Sequence, residues 1–365
     1  MPATRRGRSE MRVLITGHDG YIGSVLTRMA RDAGHDVTGL DAFWFEGCAL
    51  GPEPDAVPAL RLDVRDIEVD HLQGFDAVVH LAAISNDPVG HLDPVCTFEV
   101  NHQGSVRMAE AAKQAGVGRF IFASSCSLYG AASPDQLLGE SAPFNPVTPY
   151  GESKVLVERD VSRLADDGFS PIFLRNATVY GYSPRLRLDL VVNDFVAAAF
   201  TTGNIVIKSD GTPWRPLVHV EDVARAVLAA LVAPRESVHN EAFNVGRTQE
   251  NYQVRDVAGI VTEVLVGSRV TYEEGGGPDS RCYRVDFSKA ENSLPGFAPC
   301  WTVREGVHEL ADAYRRHGLT QDDLSSPRFV RLRRVQTLQR EGKLGSDLRW
   351  LEAPGTPLPT GGSPG

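Results

Sequence analysis

Sulfur is scarce in this 365-residue chain, with five cysteines and four methionines. The cysteines, at 48, 96, 126, 282 and 300, are odd in number and contain no C-x-x-C pair. That argues against a disulfide framework and against a zinc site, so reduced thiols and no metal are expected. Basic residues fall short of acidic ones, 37 against 47, for a formal net charge of −10. No basic stripe compensates, which argues against a nucleic-acid partner. No apolar run reaches about 18 residues, so no membrane-spanning helix is expected. The opening carries Arg5, Arg6 and Arg8 but no apolar core of roughly 7–15 residues, so a signal peptide is not expected either. These absences point to a cytoplasmic protein.

What is present is a soluble, globular balance, 42% hydrophobic and 23% charged. The length suffices for one large or two closely joined α/β domains. The stretch Thr16-Gly17-His18-Asp19-Gly20-Tyr21-Ile22-Gly23 follows an apolar run, Met11 to Ile15, and opens a segment of helical spacing, Ser24 to Gly34. Strand, glycine turn and helix is the context in which such glycines bind a dinucleotide. Gly17 permits the tight turn, Gly20 lets backbone N–H groups approach a pyrophosphate, and Gly23 lets the helix pack on its strand. The positive end of the helix then faces the phosphates. Asp19, Tyr21 and Ile22 belong to the same cofactor loop. A second strand, Val37 to Leu40, ends on Asp41, about two dozen residues past Gly17, where a carboxylate accepts hydrogen bonds from an adenosine ribose and repels a 2′-phosphate. No Arg or Lys follows before Arg61, so NAD is expected rather than NADP.

Further strands are read at 58–62, ending on Asp63, at 77–81, running into Ala82-Ala83, at 119–123, leading into Ser124-Ser125-Cys126, and at 171–175. Helices are read at about 94–116, carrying Asn101, and at 150–166. The small residues after Leu81 leave room for a cofactor against the strand end. The aromatic cluster Phe43-Trp44-Phe45 reads as local loop packing. Alternating strands and helices imply a Rossmann-type, doubly wound parallel sheet, with ligands at the carboxyl ends of the strands. Past Gly181 the rhythm changes to a smaller, mixed α/β substrate domain, with helices at 188–201, 223–232, 253–265 and 303–317 and short strands at 205–207, 217–219 and 243–245. The expected division is a leader over 1–10 and the dinucleotide domain over 11–182. A mainly substrate-binding part over 183–317, a helical extension over 318–352 and a disordered tail over 353–365 follow.

Tyr150-Gly151-Glu152-Ser153-Lys154 puts a phenol and an ammonium on one face of a helix. A nearby cation favours tyrosinate and draws its pKa towards neutrality, as a general base requires. Taken with the glycine loop, Asp63, His80-Leu81-Ala82-Ala83, Asn101, Ser124-Ser125 and Asp210-Gly-Thr-Pro-Trp-Arg215, this pair resembles the extended short-chain dehydrogenase/reductase family. More narrowly, the set is similar to its nucleotide-sugar epimerase/dehydratase branch, over roughly residues 11–317.

The resemblance implies that Tyr150, Lys154 and Ser125 drive hydride transfer between a sugar and the nicotinamide. It also implies that Asp63, with Val64 beside it, contacts adenine, and that Leu81, Ala82, Ala83, Asn101 and Ser124 line the cofactor. An asparagine such as Asn101 can equally cap local backbone. Arg215 matches a family arginine for the nucleotide diphosphate. Thr178 occupies the family's phosphate-binding position, and Arg281 lies where a second phosphate arginine is placed. Residues 183–187 and 192–194 read as a substrate-facing segment. The family's 4,6-dehydratases carry Asp and Glu just after the catalytic hydroxyl; Cys126 and Ser127 stand there instead, which disfavours a dehydratase. Cys126 is an acid/base candidate or, alternatively, an apolar filler. The implied activity is C4 epimerisation of a nucleotide-diphosphate sugar on NAD, with a homodimer as the family's assembly. A 4-ketoreductase or dehydrogenase is the alternative, and a non-catalytic NAD-sensing regulator is the remote one.

Overall fold

The computed structural model describes residues 10–85, 93–133, 135–274 and 281–351. The expected tail and, apart from residue 10, the expected leader lie outside the described residues. Seven strands form the central sheet: β1 (Arg12–Thr16), β2 (Asp36–Asp41), β3 (Ala59–Arg61), β4 (Ala77–His80), β5 (Arg119–Ser125), β6 (Ser170–Asn176) and β7 (Glu241–Val245). Their spatial order is β3-β2-β1-β4-β5-β6-β7, and every neighbouring pair is parallel. The order reverses direction between β1 and β4, which opens a crevice at the carboxyl ends of these strands.

Alternation along each strand sends side chains to the two faces. Val13 and Ile15 of β1 join α1 (Tyr21–Asp32) and α6 (Val220–Val232) in one core. Leu14 joins Phe120 and Phe122 of β5 in the other, with α3 (Gly104–Gln114) and α4 (Pro149–Ser162). Each such side chain, fully buried, contributes roughly 1.5–3 kcal/mol. The helix expected over 94–116 is interrupted. Asp93 caps α2 (Pro94–Phe98) by accepting from the Cys96 N–H at 3.1 Å, and a π-helical turn, Glu99–Gln103, joins α2 to α3.

The smaller lobe has its own core under α5 (Val191–Thr202), α7 (Val254–Val264) and α8 (Val303–His317). The chain does not stay there after residue 182. Apolar α6 packs against α1, and β7 pairs with β6 at the sheet edge, so 220–245 packs with the dinucleotide half. Beyond α8, helix α9 (Arg331–Arg340) returns to that half as well. Val335 and Leu348 pack with Trp44, Leu60 and Leu62.

Candidate active site

The first turn of α1 carries no acidic residue, and its N-cap, Gly20, supplies no side chain, which leaves the N–H groups open to an anion. Gly17 has φ +70, and a Cβ there would stand 2.9 Å from the Ala82 nitrogen; a Cβ on Gly23 would stand 2.0 Å from the Gly17 carbonyl oxygen. Side chains at these positions would break the turn. Asp41 is oriented by two backbone donors, the Phe43 N–H at 2.7 Å and the Asp19 N–H at 3.1 Å. Asp63 accepts from the Arg65 backbone N–H and pairs with its guanidinium at 2.7 Å. Burial raises the Asp63 carboxyl, but Arg65 outweighs it and holds the group below its ordinary value.

The loop after β4 is clamped from beneath. His80 is fully buried, with Nδ1 2.7 Å from Thr16 Oγ1 and Nε2 2.9 Å from Ser105 Oγ, and Thr16 Oγ1 in turn accepts from the Ala82 N–H. Burial, with the Lys154 charge nearby, pushes the imidazole down to about 3. It is a neutral structural bridge at physiological pH.

Thr148 caps α4 by accepting from the Gly151 N–H at 3.2 Å, and Pro149 opens the helix, which sets Tyr150 in the first turn above β5. Lys154 is 3% exposed; its Nζ donates to the Ala123 carbonyl at 2.7 Å and lies 4.4 Å from the Phe122 ring centre. Burial lowers its ammonium to about 7, against an opposing pull from Glu158. At the end of β5, Ser125 Oγ accepts from the Ser127 N–H and lies 3.0 Å from Ser127 Oγ.

These residues line one cleft of about 450 Å³. Gly17, Gly20, Tyr21, Ile22, Gly23, Asp41, Asp63, Val64, Leu81, Ala82 and Ala83 form one part of its lining. Ser124, Ser125, Tyr150, Lys154, Thr178, Arg215 and Arg281 line it as well. Within it the Ser124 hydroxyl donates to Glu158 at 2.5 Å, and Arg215 donates to the Trp214 and Arg281 carbonyls.

Three expected residues stand elsewhere. Cys126 is fully buried, its Sγ donating to the Arg175 carbonyl at 3.1 Å, and burial pushes its thiol well up. It opens the 3-10 turn Cys126–Tyr129 that follows β5, and that turn places it in the core and not in the cleft. Asn101 is committed to the backbone of Ile84, seventeen residues earlier. Its Oδ1 accepts from the Ile84 N–H at 2.7 Å and its Nδ2 donates to the Ile84 carbonyl, so it tethers the loop after β4 instead of lining the cleft. The Asp19 carboxylate turns away to Arg185 at 2.6 Å, and burial raises it to about 6 against that guanidinium. Of the segment read as substrate-facing, Arg185 is buried against Asp19 and Glu53, and only Arg187 reaches the cleft, held by Asp189 and by Ser85 at 3.0 Å.

Sequence reasoning missed Trp44, Phe45, Tyr283 and Arg331 as lining residues. The placement of the aromatic cluster directly after Asp41 was a usable signal for the first two. The arrangement fits NAD. A glycine turn opens onto a bare helix terminus, a carboxylate ends β2 with no cation beside it in sequence, and a Tyr/Lys/Ser set stands at the end of β5.

Sheet order, glycine turn and Tyr150–Lys154 define an extended short-chain dehydrogenase/reductase, a class of dinucleotide-dependent enzymes. The family profile for the NAD dependent epimerase/dehydratase family matches residues 13–246, and the chain belongs to that family. It is 30% identical over 334 residues to a UDP-glucose 4-epimerase of Lactobacillus helveticus, covering 84% of this chain and 97% of that one. Among solved structures, MoeE5 in complex with UDP-glucuronic acid and NAD is 30% identical at a TM-score of 0.73, over 84% of this chain and 99% of that one. The UDP-glucose 4-epimerase of Thermus thermophilus in complex with NAD is 28% identical at a TM-score of 0.70, over the same shares. NAD is the cofactor, and the fold is the Rossmann fold that the sequence implies. Among the described residues, no helix is long and apolar enough to cross a membrane.

Proposed function

We propose that this chain is a nucleotide-sugar epimerase that inverts C4 through a transient 4-keto sugar. The observation that carries this reading is the distribution of carboxylates. Those lining the cleft, among the described residues, are Asp41 and Asp63 at the adenosine end and Asp189, which is paired with Arg187. None follows Ser125 where elimination of water would need an acid and a base. When bound, NAD supplies a reversible hydride acceptor. The Tyr150 phenolate would take the proton of the sugar C4 hydroxyl, with Ser125 hydrogen-bonded to the same oxygen, and return it once the ketone has presented its other face. Lys154 would hold the nicotinamide ribose and stabilise the phenolate. Arg215 and Arg281 would fix the nucleotide diphosphate, a role that suits the guanidinium fork, and Thr178 would lie beside it.

The relatives named above act on or bind UDP sugars, which puts UDP-glucose, UDP-galactose and UDP-glucuronic acid at the head of a test panel. Incubation of the purified protein with each, without added cofactor, should give the C4 epimer by NMR with no lasting absorbance at 340 nm. Accumulating NADH would replace this reading with a dehydrogenase. A homodimer through the helices over 94–114 and 149–162 belongs to the same proposal, checked by light scattering.

A further inference from the structure

Helix α9 and the chain up to residue 351 wrap the adenosine end of the cleft. Trp350 Nε1 donates to the Ala42 carbonyl at 2.6 Å, and Arg334 Nε donates to the Trp44 carbonyl at 2.8 Å. Arg65, the partner of Asp63, donates to the Asp347 carbonyl at 2.8 Å, and Arg349 pairs with Asp66 at 2.5 Å. Both loops that carry the adenosine-side carboxylates are thus bonded to this extension.

From it one side chain enters the cleft. Arg331 is 6% exposed and lines the same cleft as Gly17, Gly20 and Tyr21. Its guanidinium lies 3.8 Å over the Phe45 ring, and Nη2 donates to the Arg185 carbonyl at 3.2 Å. Nη1 is buried with no hydrogen-bond partner. An unsatisfied cationic donor costs free energy when buried, and a ligand anion removes that cost. Asp189 gives Nη1 no hydrogen bond; both its oxygens accept from Arg187. Burial, and the Arg187 charge next to it, lower the Arg331 guanidinium to about 9 against an opposing pull from Asp189.

We propose that Arg331 binds the diphosphate of NAD, so that the C-terminal extension is part of the cofactor site and holds the cofactor in place. The cofactor is favoured over the sugar nucleotide because Arg331 sits beside Arg185, whose partner Asp19 lies inside the glycine loop. Arg215 and Arg281 are joined to each other through the Arg281 carbonyl and belong with the other ligand. This inference rests on NAD as cofactor and not on which sugar reaction follows.

The test compares calorimetric affinities of NAD-stripped, full-length protein and its Arg331→Met variant for ADP-ribose and for adenosine. Loss of one hydrogen bond to a charged group should weaken ADP-ribose about ten- to a hundredfold and leave adenosine within about twofold. Equal weakening of both would overturn the proposal in favour of a packing role, and an unchanged ADP-ribose affinity would also overturn it. UDP binding to NAD-loaded protein should be unaffected; a loss there with ADP-ribose intact would assign the residue to the substrate instead. Should Arg331→Met fail to fold, Arg331→Lys keeps the charge without the fork. It should weaken ADP-ribose selectively over adenosine, whereas wild-type affinity for both would contradict the proposal.

Discussion

The Lys154 ammonium stands 5.5 Å from the centre of the Tyr150 ring while donating to the Ala123 carbonyl on β5. One side chain thus joins the helix bearing the phenol to the strand that ends in Ser125. The burial that makes this possible lowers the ammonium to about 7, against about 10.4 in an unfolded chain.

A stability prediction follows from that burial. Between pH 7 and about pH 10 the unfolded chain holds a proton that folded Lys154 has released, so the penalty is full below pH 7 and fades as pH rises. NAD-stripped Lys154→Met should therefore gain most over wild type near pH 6 and least near pH 10. Melting curves across that range check this; a gain that grows with pH would count against it.

Tyr150→Phe removes the phenol proposed as proton acceptor and leaves the ring. Turnover of the nucleotide sugar should fall about 10²–10⁴-fold, while NAD retention and melting temperature stay near wild type. Single-turnover absorbance together with extracted NAD content measures both, and a tenfold loss or less would remove Tyr150 from the role of base.

Beneath the site, Glu158 and Arg175 form a buried pair at 2.7 Å, with side-chain exposures of 7% and 6%. The same Glu158 accepts from Ser124, and Arg175 donates to Tyr129, which donates to Asn244. Glu158→Leu should cost about 3–5 kcal/mol by leaving Arg175 charged and unpaired. Glu158→Leu/Arg175→Met should cost less than the sum of the two single changes, since the sites are in contact. Urea unfolding supplies all three values.

Cys126 offers a test in the opposite direction. Cys126→Ala should retain turnover within about twofold and lose roughly 1 kcal/mol of stability by vacating a packed site. A hundredfold loss of turnover would restore it as an acid/base.

Much of the dinucleotide half could be read in advance because its chemistry is local. Gly17 to Gly23, Asp41 and Tyr150–Lys154 depend on spacing within one turn or one strand–helix unit, and the structure brings them to a single cleft. What escaped depends on phase or distance. The π-helical turn at Glu99–Gln103 lies within the helix that carries Asn101, and the turn after β5 sends Cys126 inward where adjacency to Ser125 suggested the cleft. Arg331 reaches the pocket from nearly three hundred residues beyond Asp41, through packing of Val335 and Leu348 that no local pattern encodes. The strand expected at 243–245 is found as β7, but its pairing with β6 in the central sheet is a long-range contact that no local pattern encodes.

The most direct test of the central claim is a one-pot reaction of untreated protein with UDP-glucose, UDP-galactose and UDP-glucuronic acid, each followed by proton NMR and absorbance at 340 nm. The account predicts inversion at C4 of one of them, approach to the same equilibrium from either epimer, and no net NADH. Stoichiometric NADH formation, or elimination of water to a stable 4-keto-6-deoxy product, would contradict it.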